Sequence, residues 1–290
     1  RFFDMFVDGK LANDIMDKLS NIHVLTSKNK LLKVSKCYFS NVFNPELKLE
    51  DILDKDIFLN EKYLFHNIDK DDIKRFFKKI GVKDKINLIK ASAKISKQDL
   101  SSQYKISKDY FNSGDHISPY PHLPISSYSD IITIEHIDLT DKYEFSKIFW
   151  TYIIDNFQPD KISFYARGYW GYGGLGGQTS GEKVHNYVKW FINYVNCLPT
   201  QFKKCYKSTN IFLNSEYILE IAEGYLPIID LKDISLDWKA FFNFRITLDL
   251  DDYKILYANI FLDLDDNKIK SKNMNKIQII YEYFLNNFEN

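Results

Sequence analysis

Arginine is scarce in this chain. Only Arg1, Arg75, Arg167 and Arg245 occur; the rest of the 39 basic residues are lysines, and 39 acidic residues balance them to a net charge of zero. Binding to nucleic acid or to an anionic membrane surface draws on excess basic charge, so the composition argues against both, a local patch apart. Cysteine is scarce too. Cys37, Cys197 and Cys205 are odd in number and have neither disulfide-framework nor zinc spacing, which points to reduced thiols and a cytoplasmic setting. No apolar run approaches the ~18 residues of a membrane span, and no signal-peptide pattern is found. Glycine is sparse outside one stretch: seven of the eleven glycines fall between Gly168 and Gly181.

What is abundant is apolar and aromatic. Hydrophobic residues make up 45% of the 290 and aromatic residues 16%, enough for real cores and against disorder. The pattern predicts an α+β fold of helices with short hairpins and strands. Ile22–Thr26 and Leu31–Val34 flank a polar Ser27-Lys28-Asn29-Lys30 turn, a hairpin signature. Asp69 can cap a helix whose Ile73, Phe76, Phe77 and Ile80 share one face, with Gly81 at its stop. Thr140 or Asp141 opens a helix with Phe145, Ile148, Phe149, Tyr152 and Ile153 inward; Ile131–Ile137 and Ile162–Ala166 read as strands. Thr179 and Glu182 have capping-box spacing for a helix burying Val184, Tyr187, Val188, Phe191, Ile192 and Val195. Two further helices run from about Asp251 to Phe261 and over Asn275–Phe288, the latter with Ile277, Ile280, Tyr281, Phe284, Leu285 and Phe288 on one stripe. The expected division is an N-terminal block at 1–90, an irregular connector at 91–130 stiffened by Pro119, Pro121 and Pro124, and a C-terminal block at 131–290.

The two blocks echo one another. Cys37-Tyr38-Phe39-Ser40 aligns with Asn210-Ile211-Phe212-Leu213, Phe58–Leu64 with Phe212–Ile218, and Ile73–Phe77 with Trp238–Phe242. The registers disagree, so the repeat is degenerate, and its period is too long for a solenoid. The order of packing motifs carries a resemblance. From Leu25-Thr26 the chain runs through Cys37-Tyr38-Phe39-Ser40, Asn44-Pro45-Glu46-Leu47, Leu49-Glu50, Tyr63-Leu64 and Phe76-Phe77-x-x-Ile80-Gly81-Val82. It continues with Leu198-Pro199-Thr200, Phe212-Leu213, Tyr225-Leu226-Pro227 and Trp238-Lys239-x-Phe241-Phe242. This order is similar to the region beyond the ATPase module in large sacsin-like proteins. The resemblance implies an internal fragment of a chaperone-like or anti-phage-defence protein. ATP and Mg would bind only in its Hsp90-like ATPase domain, leaving no cofactor in this fragment. The partners it implies are proteins: that ATPase domain, a client or another partner.

Catalytic motifs are missing. Gly176-x-x-x-x-Gly181 has the P-loop interval, but Glu182-Lys183 stands where Lys-Ser/Thr belongs; Gly171-x-Gly173-x-x-Gly176 is weak in so glycine-rich a run. The histidines lack metal-ligand spacing, and Asp263–Asn267 fails as a calcium loop because Lys268 replaces the required glycine and Met274 the bidentate glutamate. There is no Gly-x-Ser-x-Gly elbow. Asp72-Ile73-Lys74 and Asp252-Tyr253-Lys254 match the acid-x-Lys element of metal nucleases, but helix starts rich in acid explain them, as does Asp249/Asp251/Asp252 at a helix N-terminus. The stretch best suited to recognition is the edge of the glycine loop, where Tyr165, Arg167, Tyr169, Trp170 and Tyr172 combine aromatic and charged anchors with adaptable backbone. The leading expectation is therefore a non-catalytic structural and interaction region that transmits the ATPase state of its parent protein or holds a partner. The alternatives are a metal-dependent nucleic-acid-processing domain and a sensor pocket lined by Tyr165, Trp170 or Tyr172.

Overall fold

The computed structural model describes residues 2–10, 13–53, 55–65, 67–114, 125–162, 164–170, 181–264 and 271–288. The chain is α+β. It forms two compact units, residues 1–87 and 88–290.

In the first unit, α1 (Phe2–Val7) and α2 (Asn13–Leu19) pack on α3 (Lys70–Ile80). The α3 helix matches its sequence signals. The Asp69 carboxylate accepts the Asp71 and Asp72 N–H groups at 2.8 and 3.3 Å, and Gly81 ends the helix at φ 116°, a conformation that a Cβ would strain. Ile73, Phe76, Phe77 and Ile80 are buried against Val24, Val34, Cys37 and Leu59. β1 (His23–Leu25) and β2 (Leu31–Lys33) form the expected antiparallel hairpin, with Asn29 at φ 62° in its turn. Cys37 is a buried free thiol, and burial pushes its pKa up to about 12.

Asp84 closes this unit. It is 5% exposed, accepts the Glu46 N–H at 3.1 Å, and lies 3.2 Å from Lys74 Nζ and 3.0 Å from Lys78 Nζ. Burial pushes its carboxyl up, but the bonds from Lys78, Glu46 N–H and Lys74 outweigh burial and hold it below the ordinary value. The unfolded chain then takes up the proton first. The contribution is whole above the ordinary carboxylate range and is lost as pH falls through the lower folded value. In urea unfolding from about pH 6 to about pH 3, Asp84→Asn is expected to be less stable at the upper end by about 1–3 kcal/mol and to lose less stability on acidification than wild type. Parallel acid slopes for the two proteins refute this role.

The second unit begins with β3 (Leu88–Ala91) paired to β6 (Ile131–Ile134), and a four-stranded antiparallel sheet in the order β4 (Ile95–Ser96), β5 (Ser127–Ser129), β7 (Tyr165–Tyr169), β8 (Gly181–His185). Residues expected as an irregular connector thus form β4, α4 (Lys97–Gln103), α5 (Lys108–Asn112) and β5. Ser96 and Ser107 cap the two helices, and Leu100, Ile106 and Tyr110 anchor them at 0–2% exposure. The three prolines lie outside the described residues. The α6 helix (Tyr143–Asn156) buries Phe145, Phe149, Tyr152 and Ile153, while Ile148 is 39% exposed; its N-cap is Lys142, with no side-chain cap. After the short α7 (Pro159–Ile162) the chain enters β7 later than expected. Glu182 is a strand residue, and α8 (Tyr187–Tyr194) starts behind Asn186 instead of Thr179, which lies outside the described residues. α9 (Glu216–Ala222), α11 (Leu250–Leu264) and α12 (Ser271–Phe288) make a helical cluster around Ile218, Leu256, Ile260 and Ile280. Tyr281 and Leu285, expected on the buried stripe of α12, are 58% and 41% exposed. Asp249 caps α11 through the Asp251 and Asp252 N–H groups, Asp252 accepts the Asp249 N–H in return, and Arg245 binds both carboxylates.

The echo between the blocks is a duplicated module with a register that backbone hydrogen bonds define. β9 (Leu198–Pro199) and β10 (Cys205–Tyr206) repeat the first hairpin: Thr26 N–H bonds the Lys30 carbonyl at 2.8 Å, and Thr200 N–H bonds the Lys204 carbonyl at 3.0 Å. Lys203 takes the left-handed place of Asn29. Tyr38 bridges in parallel to Phe58 and Lys83, as Phe212 bridges to Ile228 and Arg245; Thr26 pairs with Leu59, as Thr200 pairs with Ile229. Helix α10 (Leu236–Phe242) stands for α3, ends in left-handed Asn243, and packs on α8 as α3 packs on α2. A cation covers the central ring in both copies, Lys83 over Tyr38 at 5.3 Å and Arg245 over Phe212 at 4.3 Å. Tyr38 therefore matches Phe212, Phe58-Leu59-Asn60 matches Ile228-Ile229-Asp230, and Phe76 matches Trp238. Alignment by side-chain identity misplaces all three, because the ladder constrains backbone and only the size of the buried groups.

Candidate functional site

The sheet β4-β5-β7-β8 has one buried and one open face. Ala166, Gly168, Val184 and Tyr128 turn inward. Tyr128 meets Phe111 at 5.3 Å and Tyr110 at 5.9 Å, and Tyr110 Oη donates to the His185 carbonyl at 2.8 Å. A Cβ on Gly168 would lie 2.9 Å from Ile125 Cδ1 and 3.0 Å from its Cγ2, so alanine here would require the Ile125 side chain to shift. Alternation sends Tyr165, Arg167 and Tyr169 to the other face.

There the antiparallel register sets His185 opposite Tyr165 and Lys183 opposite Arg167 on β8, with Ser129 and Ser127 opposite Arg167 and Tyr169 on β5. Lys183 Nζ lies 3.8 Å above the Tyr165 ring, which stacks on His185 at 5.7 Å. Lys94 Nζ lies 4.8 Å above the Tyr169 ring, whose hydroxyl is 3.0 Å from Ser129 Oγ. Ser129 also donates to the Asp130 carboxylate at 3.0 Å. Arg167 and Lys183 are exposed and form no ion pair among the described residues. The result is a row of cations held over tyrosine rings, electropositive in a chain with no net charge.

Of the five residues expected to bind a partner, Tyr165, Arg167 and Tyr169 share this face. Trp170 is 5% exposed and belongs to the interior, and Tyr172 lies outside the described residues, as does most of the glycine loop. Lys94, Lys183 and His185 were not singled out by sequence reasoning. No polar–apolar alternation marks Gly181–His185 as a strand, since Val184 is its one hydrophobic side chain; pairing with β7 is what places Lys183 and His185 on this face. Tyr165 also lines a groove of about 750 Å³ with Pro159, Phe164, Asp237 and Ala240; Trp170 is not part of it.

Asn186 fixes the sheet in place. Fully buried, it accepts from Ile132 N–H (2.8 Å) and Tyr187 N–H (2.9 Å), and donates to the Asp130 (3.1 Å) and Tyr165 (3.4 Å) carbonyls. One side chain thus ties β6, the β5–β6 turn, β7 and the start of α8. Lys189, one turn along α8, is 6% exposed; burial lowers its pKa to about 8, and its ammonium binds the Phe241 carbonyl at the C-terminus of α10. That bond satisfies a helix-end acceptor, a structural task.

Among the described residues, no three His, Cys, Asp or Glu side chains gather as a metal site requires, and no helix is long and apolar enough to cross a membrane. Compared with family models, curated proteins and solved structures, the chain matches none.

Proposed function

We propose that this chain is a non-catalytic structural and interaction region of a large cytoplasmic, sacsin-like protein with an Hsp90-like ATPase, chaperone-like or defence-related, and that it transmits the ATPase's nucleotide state or holds a partner protein. ATP and Mg bind in the ATPase domain of that protein, and the duplicated module serves as its body. The observation that carries the interaction role is the face where Lys94, Arg167 and Lys183 stand over and between Tyr165 and Tyr169. Aromatic area with fixed cations suits an acidic protein segment. The order of packing motifs supports the parent assignment.

Two measurements on the full-length protein test this reading. Hydrogen exchange with and without ATP is expected to change across residues 165–169 and 181–185; no change in either segment removes the relay of nucleotide state. Binding of a labelled oligoglutamate peptide is expected to fall at least about tenfold in the Arg167→Glu/Lys183→Glu double variant and to weaken with salt. Equal binding by the double variant sinks the interaction surface, and preference for single-stranded nucleic acid over the peptide turns the reading towards nucleic-acid processing.

A further inference from the structure

The sheet that carries the cationic face ends at β8, its outermost strand. Among the described residues β8 pairs with β7 alone. Asn186 N–H bonds the Phe164 carbonyl at 2.8 Å, which makes 164/186 a hydrogen-bonded pair. The antiparallel alternation gives 166/184 and 168/182 the same character. Gly181, Lys183 and His185 stand on the intervening pairs, so their main-chain groups turn away from β7. The His185 carbonyl is taken by Tyr110 Oη at 2.8 Å, which closes that end of the edge. The N–H and C=O groups that Gly181 and Lys183 turn outward have no partner among the described residues. The opposite edge of the sheet, β4, is two residues long and runs straight into α4, so it offers no comparable row.

Side chains give this edge a charge on one face. Lys183 is exposed, with the equally exposed Arg167 opposite it on β7. The other face of β8 carries the buried Val184, and Glu182 opposite Gly168. Asp130 follows β5, two strands away. A second copy of β8 laid on the first would bring Lys183 within reach of its own copy, a destabilising like-charge pair. A neutral strand would gain the main-chain bonds but leave the lysine uncompensated, the device by which edge lysines keep sheets apart. An acidic strand satisfies both the edge and the charge.

We infer that an acidic segment of the partner protein binds as a fifth strand, antiparallel to β8, with carboxylates at alternate positions. The inference rests on the reading of the cationic face as a seat for an acidic segment. The residue opposite Lys183 exchanges both main-chain bonds with it, on a strand about 4.8 Å from β8. Its side chain points to the Lys183 face, as does that of the residue opposite Gly181. The residues between turn towards Val184 and Glu182, where a second carboxylate would be repelled and a small β-branched side chain suits the strand. Antiparallel is the pairing of every neighbour in this sheet, and it is the more stable arrangement per residue. Affinity then comes from the main chain and specificity from the alternate side chains.

The probe is a labelled Glu-Thr-Glu-Thr-Glu-Thr-Glu peptide, titrated with the whole chain. N-methylation of its glutamates removes the amide N–H groups that face β8 and is expected to weaken binding at least about tenfold. N-methylation of its threonines, whose amides face away, is expected to leave affinity within about threefold. An isomer with all glutamates in one block is expected to bind severalfold more weakly than the alternating peptide. Equal affinity of the two methylated peptides overturns the added strand and leaves the cationic face standing. Weakening by methylated threonines instead of glutamates overturns the antiparallel register. If neither the alternating peptide nor oligoglutamate binds, the reading of the face fails and this inference falls with it.

Discussion

Asn186→Ala is expected to cost about 3–5 kcal/mol, more than any surface substitution in the chain. The side chain is fully buried and makes four hydrogen bonds. Alanine leaves the Ile132 N–H and the Asp130 carbonyl without partners in a site that water does not reach. Each such orphan costs about 1–3 kcal/mol, with the Tyr187 N–H and the weaker Tyr165 contact adding to them. Thermal unfolding is expected to move down by roughly 10 °C. Asn186→Asp separates the contributions: it keeps the acceptor for Ile132 and Tyr187, loses both donors and buries a charge, so it is expected to be no better than alanine. A loss below about 1 kcal/mol for Asn186→Ala would remove the residue as the tie of the sheet. Because it pins the β7 end at Tyr165, the same substitution is expected to weaken oligoglutamate binding although Asn186 has no place on the open face.

Trp150→Ala is the second large effect, at about 3–5 kcal/mol. Trp150 has no exposed surface, packs edge-on to Phe149 at 5.2 Å and Phe242 at 5.5 Å, and donates to the Cys197 carbonyl. Truncation opens a cavity among rings that cannot collapse into it. Trp150→Phe retains most of the volume but drops the N–H and part of the fused ring. Since Ser146 still serves that carbonyl, a loss of about 1–2 kcal/mol is expected. Urea unfolding of both variants decides the matter: equal losses would mean that the hydrogen bond, not the packing, sets the energy, and that α6 is held on its hairpin by polar contacts alone.

The same helix shows why some of the architecture was readable and some was not. In α6 the periodicity of Phe145, Phe149, Tyr152 and Ile153 placed the inner face correctly, yet Ile148, inside the same apolar pattern, is exposed. Periodicity names a stripe but not its width, which depends on how far the neighbours wrap around the helix. The error at Thr179–Glu182 is of another kind. Gly181–His185 has one hydrophobic residue, Val184, which also fits the apolar spacing of the helix behind Asn186, and only pairing with β7 makes the segment a strand. That misreading hid Lys183 and His185 from the candidate site. Conversely, Trp170 looked like a recognition residue because it adjoins glycines, whereas its ring is 5% exposed.

What the sequence determined by itself is local. Asp69, the apolar spacing of Ile73, Phe76, Phe77 and Ile80, and Gly81 define α3; the polar Ser27–Lys30 turn defines the first hairpin; Asp249 and Asp252 define the start of α11. Each follows from hydrogen-bond groups and side-chain directions within a few residues, where cap and period act without help from distant parts of the chain. Tertiary structure decided the rest: the register of the duplicated module, the open sheet face of Tyr165, Arg167 and Lys183, and the packing of α6 on the second hairpin. Those depend on which backbone edges meet across long separations. The composition of an edge does not encode its partner, and a one-residue change of register turns every side chain of a strand to the opposite face.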